Sequence, residues 1–104
     1  MGSARPKPKR LAEKLRQIRV ALGLSQNDML KRLGLEDAFT YTRISSYEIG
    51  NNEPPLMILL EYARMAGIHT EALIDDELDL PDKLPADVRH EEIKRKYAAR
   101  GKKR

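Results

Sequence analysis

Four glycines, each standing just after a short apolar stripe of helical period, constrain this chain more than any other feature. Leu11, Leu15, Ile18 and Leu22 lead to Gly23; Met29, Leu30 and Leu33 lead to Gly34. Ile44 and Tyr47 come before Gly50, and Leu56, Leu59, Leu60, Ala63 and Ala66 come before Gly67. Apolar residues recurring at three and four positions share one face of a helix. A glycine just past the last of them is the usual stop signal. Ile68, Leu73 and Ile74 make a fifth, shorter helix, begun by His69 or Thr70 and continued by Glu71. No alternating run suits a strand. The expected fold is all-α, with five short helices and short connections.

Helix starts are legible as well. Ser25 is placed to cap free backbone N–H groups, with Asp28 three residues on as the reciprocal acid. Leu24 and Met29 flank that cap as a hydrophobic staple. Thr40 reads as a second cap, with Phe39 and Ile44 as its staple, opening a helix over 40–49. On it Ile44 and Tyr47 face inward while Tyr41, Thr42, Arg43 and Ser46 face outward. Between these helices Leu35–Phe39 reads as a polar loop, and Asn51 to Pro55 reads as another.

The net charge of +4 conceals a segregation. Residues 1–22 carry seven Lys/Arg against one acid, and residues 93–104 carry seven against none. Residues 61–92 reverse this, with ten acids and three bases. Basic ends suit arms drawn to a polyanion, and they suit solubility equally well. The organisation expected is a basic arm over 1–9, a helical body over 10–78, and an acidic-then-basic extension over 79–104. Within that extension 86–100 is a candidate helix, supported by Glu91 with Arg95 and Glu92 with Lys96 at the favourable spacing. The acidic stretch Asp75–Asp82 reads as a solvated linker.

Several classes find no support. With no cysteine there is no thiolate site or disulfide framework. His69 and His90 are isolated, and Asp75, Asp76, Glu77 and Asp79 lack the spacing of a calcium loop. There is no phosphate-binding glycine loop, nucleophile elbow or zinc motif, so neither an enzyme, a metal nor a cofactor is expected. No apolar run is long enough to cross a membrane. None follows the basic N-terminus as a secretory leader would. Cytoplasm is the expected compartment.

The order of parts from Leu15 to Ile74 resembles the Cro/CI-type (XRE-like) helix-turn-helix family of phage and bacterial regulators. The resemblance is carried by Leu15-Arg16, Arg19 and Gly23-Leu24-Ser25-Gln26, then Leu30 and Leu33-Gly34. It continues through Ile44-Ser45, Tyr47-Glu48 and Gly50, Pro54 to Leu60 with Ala63, and Gly67-Ile68 before Leu73. It implies a five-helix, lambda-repressor-like domain whose third helix enters the DNA major groove. Tyr41, Thr42, Arg43 and Ser46 would then face base edges, with Arg43 suited to bidentate recognition of guanine. Gln26, Thr40, Asn51 and Asn52 would meet phosphate, as would Arg5, Lys7, Lys9 and Arg10 of the arm. Arg19 and Glu48 fall where the family places a structural ion pair.

Two departures stand out. The path from Gly34 to Glu48 is longer than the family's usual turn, and the loop Ile49–Glu53 has an acid and no base. Both shift the electrostatic work toward the basic ends. The leading expectation is sequence-specific binding of double-stranded DNA by a homodimer that regulates transcription. An antitoxin that represses its own operon is a second reading, with a protein partner on the acidic 75–92 stretch. A protein-interaction adaptor that kept the fold without specific DNA binding is a third.

Overall fold

The computed structural model describes residues 7–85. The candidate helix over 86–100, the basic run from Lys94 to Arg104, and Arg5 lie outside the described residues. Within them the order is α1 (Leu11–Ala21), α2 (Gln26–Arg32), α3 (Thr42–Glu48), α4 (Leu56–Ala66) and α5 (Glu71–Ile74). There is no strand among the described residues.

The local signals act as their chemistry requires. The Ser25 hydroxyl accepts the Asp28 N–H at 3.0 Å, and the Asp28 carboxylate accepts the Ser25 N–H at 3.2 Å. That reciprocal box starts α2 and holds the Asp28 carboxyl below its usual range, the backbone bond from Ser25 being the larger cause. At the end of α1 the Gly23 N–H donates to the Val20 carbonyl and the Leu24 N–H reaches back to Arg19. This paired closure needs a left-handed residue, and Gly23 supplies it at φ +70°. Gly34, also at φ +70°, closes α2 with the same two bonds, to Lys31 and Leu30.

α1 is the central element, packing against α3, α4 and α5. Its Leu11, Leu15 and Ile18 enter the core with Met29, Leu30, Leu33, Ile44, Tyr47, Leu59, Tyr62, Ala63, Ala66 and Leu73. One side chain in that stripe is not apolar. Lys14 is 1% exposed, and its Nζ donates to the Ala72 and Asp75 carbonyls, both at 2.8 Å. A four-residue helix cannot sustain itself in water. Leu73, buried in the core, and Lys14, bound to two carbonyls, fasten α5 to α1.

Four expectations need correction. First, the buried face of α4 is rotated from the stripe expected: Tyr62 is fully buried, Leu60 is half-buried and Leu56 is 82% exposed. The face that carries Leu59, Tyr62, Ala63 and Ala66 into the core leaves Leu56 outside it. Ile74 likewise is exposed at 47%, at the end of α5. Second, the helical body does not stop at 78, since Leu84 is buried in the core and Leu80 packs against it.

Third, the acidic stretch is not merely a solvated linker. The Asp76 carboxylate accepts the Lys9 N–H at 2.9 Å and the Arg10 N–H at 3.0 Å. It thereby caps the start of α1, where Arg10 has no side-chain cap of its own. These backbone donors hold the Asp76 carboxyl below its usual range. Fourth, Thr40 does not cap α3. Its hydroxyl lies 2.7 Å from that of Thr42, while its carbonyl accepts the Arg43 N–H. Helix α3 begins at Thr42 instead, after Tyr41 in helical conformation.

Candidate nucleic-acid interface

Helices α2 and α3, with the turn between them, form the region that the outward residues share. Ile44 and Tyr47 anchor α3 in the core, at 0% and 4% exposure. Their burial fixes which residues look outward: Tyr41 and Thr42 are exposed, and Arg43 and Ser46 are half-buried.

An ion pair braces the seat of α3. Arg19 Nε donates to Glu48 Oε2 at 2.6 Å and Nη2 donates to Oε1 at 3.0 Å. The pair is largely enclosed, with the Glu48 side chain 4% exposed and that of Arg19 14%. A third guanidinium donor, Nη1, reaches the Leu24 carbonyl at 2.9 Å. The Gln26 amide donates to Glu48 Oε1 at 3.4 Å, a long bond. Glu48 thus collects α1, α2 and α3 at one carboxylate. The hydrogen bond to Glu48 is the main reason that the Arg19 guanidinium titrates above its usual range. Behind the pair, burial pushes the Tyr62 phenol far above its ordinary value, and the Glu48 carboxylate adds to the shift.

The long turn is more ordered in form than a polar loop would be. The Leu35 carbonyl accepts the N–H groups of both Ala38 and Phe39, making a single helical turn over 35–39. Leu35 itself packs against the core. The Phe39 ring lies under the Arg43 guanidinium, 4.1 Å from centroid to Cζ. The spacing of 39 and 43 is a readable signal, an aromatic four residues before an arginine. It is easily overlooked because the two straddle the expected helix start.

The remaining candidates divide. Asn52 Nδ2 donates to Ser46 Oγ at 2.5 Å, so this amide and this hydroxyl engage each other. Asn51 is exposed, its N–H closing α3 onto the Ser46 carbonyl. Lys7 and Lys9 are exposed, and Lys7 with Pro8 lines a shallow cleft with Gly50, Asn51 and Asn52. The arm therefore begins beside the base-poor loop. Arg10 is turned elsewhere: Nη1 donates to the Asp76 carbonyl at 2.8 Å, and Nη2 pairs with Asp79 at 2.5 Å. That hydrogen bond is the first cause of its raised pKa. Sequence reasoning had no access to Asp76 or Asp79 as partners, because they lie far away along the chain.

Residues 15–73 match a family described as Helix-turn-helix. No curated protein matches the chain. No helix among the described residues is long and apolar enough to cross a membrane.

Proposed function

Because the chain belongs to the Cro/CI-type helix-turn-helix family of DNA-binding regulators, we propose that it binds specific double-stranded DNA sites as a homodimer and regulates transcription there. The observation that carries this reading is the seat of α3: a short helix held from behind by Ile44, Tyr47 and Glu48, with Tyr41 and Thr42 at its start exposed and Arg43 half-buried beside them. A recognition helix has to present its N-terminal residues to base edges without rocking in the groove. In this reading Arg43 forks onto a guanine, and Tyr41 or Thr42 meets a thymine methyl group. Ser46 acts with Asn52, to which it is already bonded.

Phosphate contacts come from Gln26, Thr40, Asn51 and Asn52, and from Arg5, Lys7 and Lys9 of the arm. The placement of Lys7 beside Asn51 and Asn52 supports this, since it brings a cation to a loop that has none of its own. Arg10 contributes least, because Asp79 already occupies its guanidinium. Two such domains would read half-sites about one helical turn apart.

Selection from a random duplex pool followed by gel shifts at low and moderate salt tests the proposal. A pseudo-palindromic site with strong salt dependence is expected, and Lys7→Ala with Lys9→Ala lowers the salt slope by about one for each phosphate no longer neutralised. Absence of any shift at low salt overturns the reading and leaves an adaptor. A co-purifying small protein partner bound to the acidic stretch makes it an antitoxin.

A further inference from the structure

The enlarged turn between α2 and α3 bears on which bases the chain can distinguish. We infer that Phe39 is a positioning residue for base recognition, a platform that holds the Arg43 guanidinium ready for one guanine before DNA arrives. The inference rests on the DNA-binding reading above and adds to it a residue outside the recognition helix.

The geometry supports this from three sides. The ring centroid lies 4.1 Å from Arg43 Cζ, within the range for attraction between a cation and an aromatic face. Phe39 is held where it is by its own N–H bond to Leu35 at 2.9 Å, and Leu35 is seated on the core. The platform is thus anchored to the core through the turn, and not only to the helix it serves. Phe39 is also 38% exposed and stands outside the core cluster.

The Cζ of Arg43 lies over the Phe39 ring, and what base recognition uses is the edge of the guanidinium. The edge bears the five N–H donors that match the paired acceptors of guanine. No side-chain hydrogen bond from Arg43 occurs among the described residues, whereas Arg10 and Arg19 both have theirs spent on carboxylates and backbone carbonyls. A free arginine on a helix surface samples many rotamers and loses that freedom on binding. Phe39 removes part of that loss in advance, and it does so only for a guanidinium aimed along one direction. The expected effect therefore falls on discrimination among bases, and not on attraction to phosphate.

The test compares the full chain with Phe39→Leu, Phe39→Tyr, Arg43→Ala and Phe39→Leu with Arg43→Ala. Each is titrated against the selected duplex, its single-base variants and an unrelated duplex. Arg43→Ala should relax discrimination at one base pair. Phe39→Leu should lower discrimination at that same pair by about 2- to 5-fold, leaving the unrelated duplex and the thermal midpoint unchanged. Phe39→Tyr should retain the wild-type value, and Phe39→Leu should add nothing once Arg43 is gone.

In the DNA-free chain, the ring-current shift on the Arg43 side-chain protons should persist in Phe39→Tyr and vanish in Phe39→Leu. Unchanged discrimination in Phe39→Leu overturns the inference. So does an equal loss on every sequence, or a loss that persists without Arg43. A wild-type chain that selects no sequence overturns the DNA-binding reading itself, and this inference with it.

Discussion

The two ends of α1 are each tied to a distant part of the chain by an arginine and a carboxylate, yet the ties differ in kind. At the C-terminal end Arg19 meets Glu48 in an enclosed, two-bond fork. At the N-terminal end Arg10 meets Asp79 at the surface, with side chains 37% and 80% exposed. Water solvates the second pair whether or not it forms, so little is gained by forming it. In the first, both groups have given up water, and each depends on the other to offset that loss. Between them lies Lys14, more buried than either arginine and bonded to carbonyls instead of a carboxylate. Burial, and not the drawing of a line between charges, sets what each interaction is worth.

The comparison breaks first at Glu48. Glu48→Gln leaves the shape intact while stranding an enclosed guanidinium, and should cost about 3 kcal/mol in chemical denaturation. It should also loosen α3 and lower DNA affinity. Pairing Arg19→Met with Glu48→Leu should recover most of the stability. A loss below about 1 kcal/mol for the single variant would place this pair with the surface kind.

Lys14→Met comes next. The thioether fits the stem's volume, but the Ala72 and Asp75 carbonyls lose their donor, so a loss of about 2 kcal/mol is expected. Amide exchange should quicken in α5 before it does in α3. Equal quickening in both would show that Lys14 supports the whole core and not α5 in particular.

At the surface end the expected effects are smaller, and they depend on pH. The Asp76 carboxyl titrates below its unfolded value, so its contribution is complete above the ordinary carboxylate range. It is lost as pH falls through the depressed folded value. Thermal midpoints followed from neutral to acid pH should therefore fall less steeply for Asp76→Asn than for wild type over that window. Asp79→Ala should leave the midpoint unchanged at neutral pH. If it shifts as much as Glu48→Gln, exposure is not the deciding variable.

What could be read along the chain was local. The apolar stripes and glycine stops gave four of the five helices close to their observed limits, and the Ser25–Asp28 box was visible in its three-residue spacing. Lys14 was legible too, since 11, 14, 15 and 18 share one helical face, but a lysine there is ordinarily assumed to point outward. Tyr62 was hidden by its neighbours: Leu59, Leu60 and Leu56 make a more obvious stripe, and only the packing against α1 decides between faces. Asp76 and Leu84 had no signal of any length, since their partners lie at the other end of the body. Of the candidate site, the outward set on α3 followed from Ile44 and Tyr47. The stack of Phe39 and the bond between Asn52 and Ser46 depended on how the chain turns at each end of that helix.

The cap that Asp76 places on α1 makes two backbone amides into remote reporters. The N–H groups of Lys9 and Arg10 have their partner more than sixty residues away along the chain. Local openings expose amides in cooperative units to exchange with solvent. Exchange at Lys9 and Arg10 will therefore register the detachment of the segment around Asp76, an event that leaves the amides of α2 and α3 protected. Deuterium uptake at the start of α1 thus measures how firmly the far side of the domain is closed.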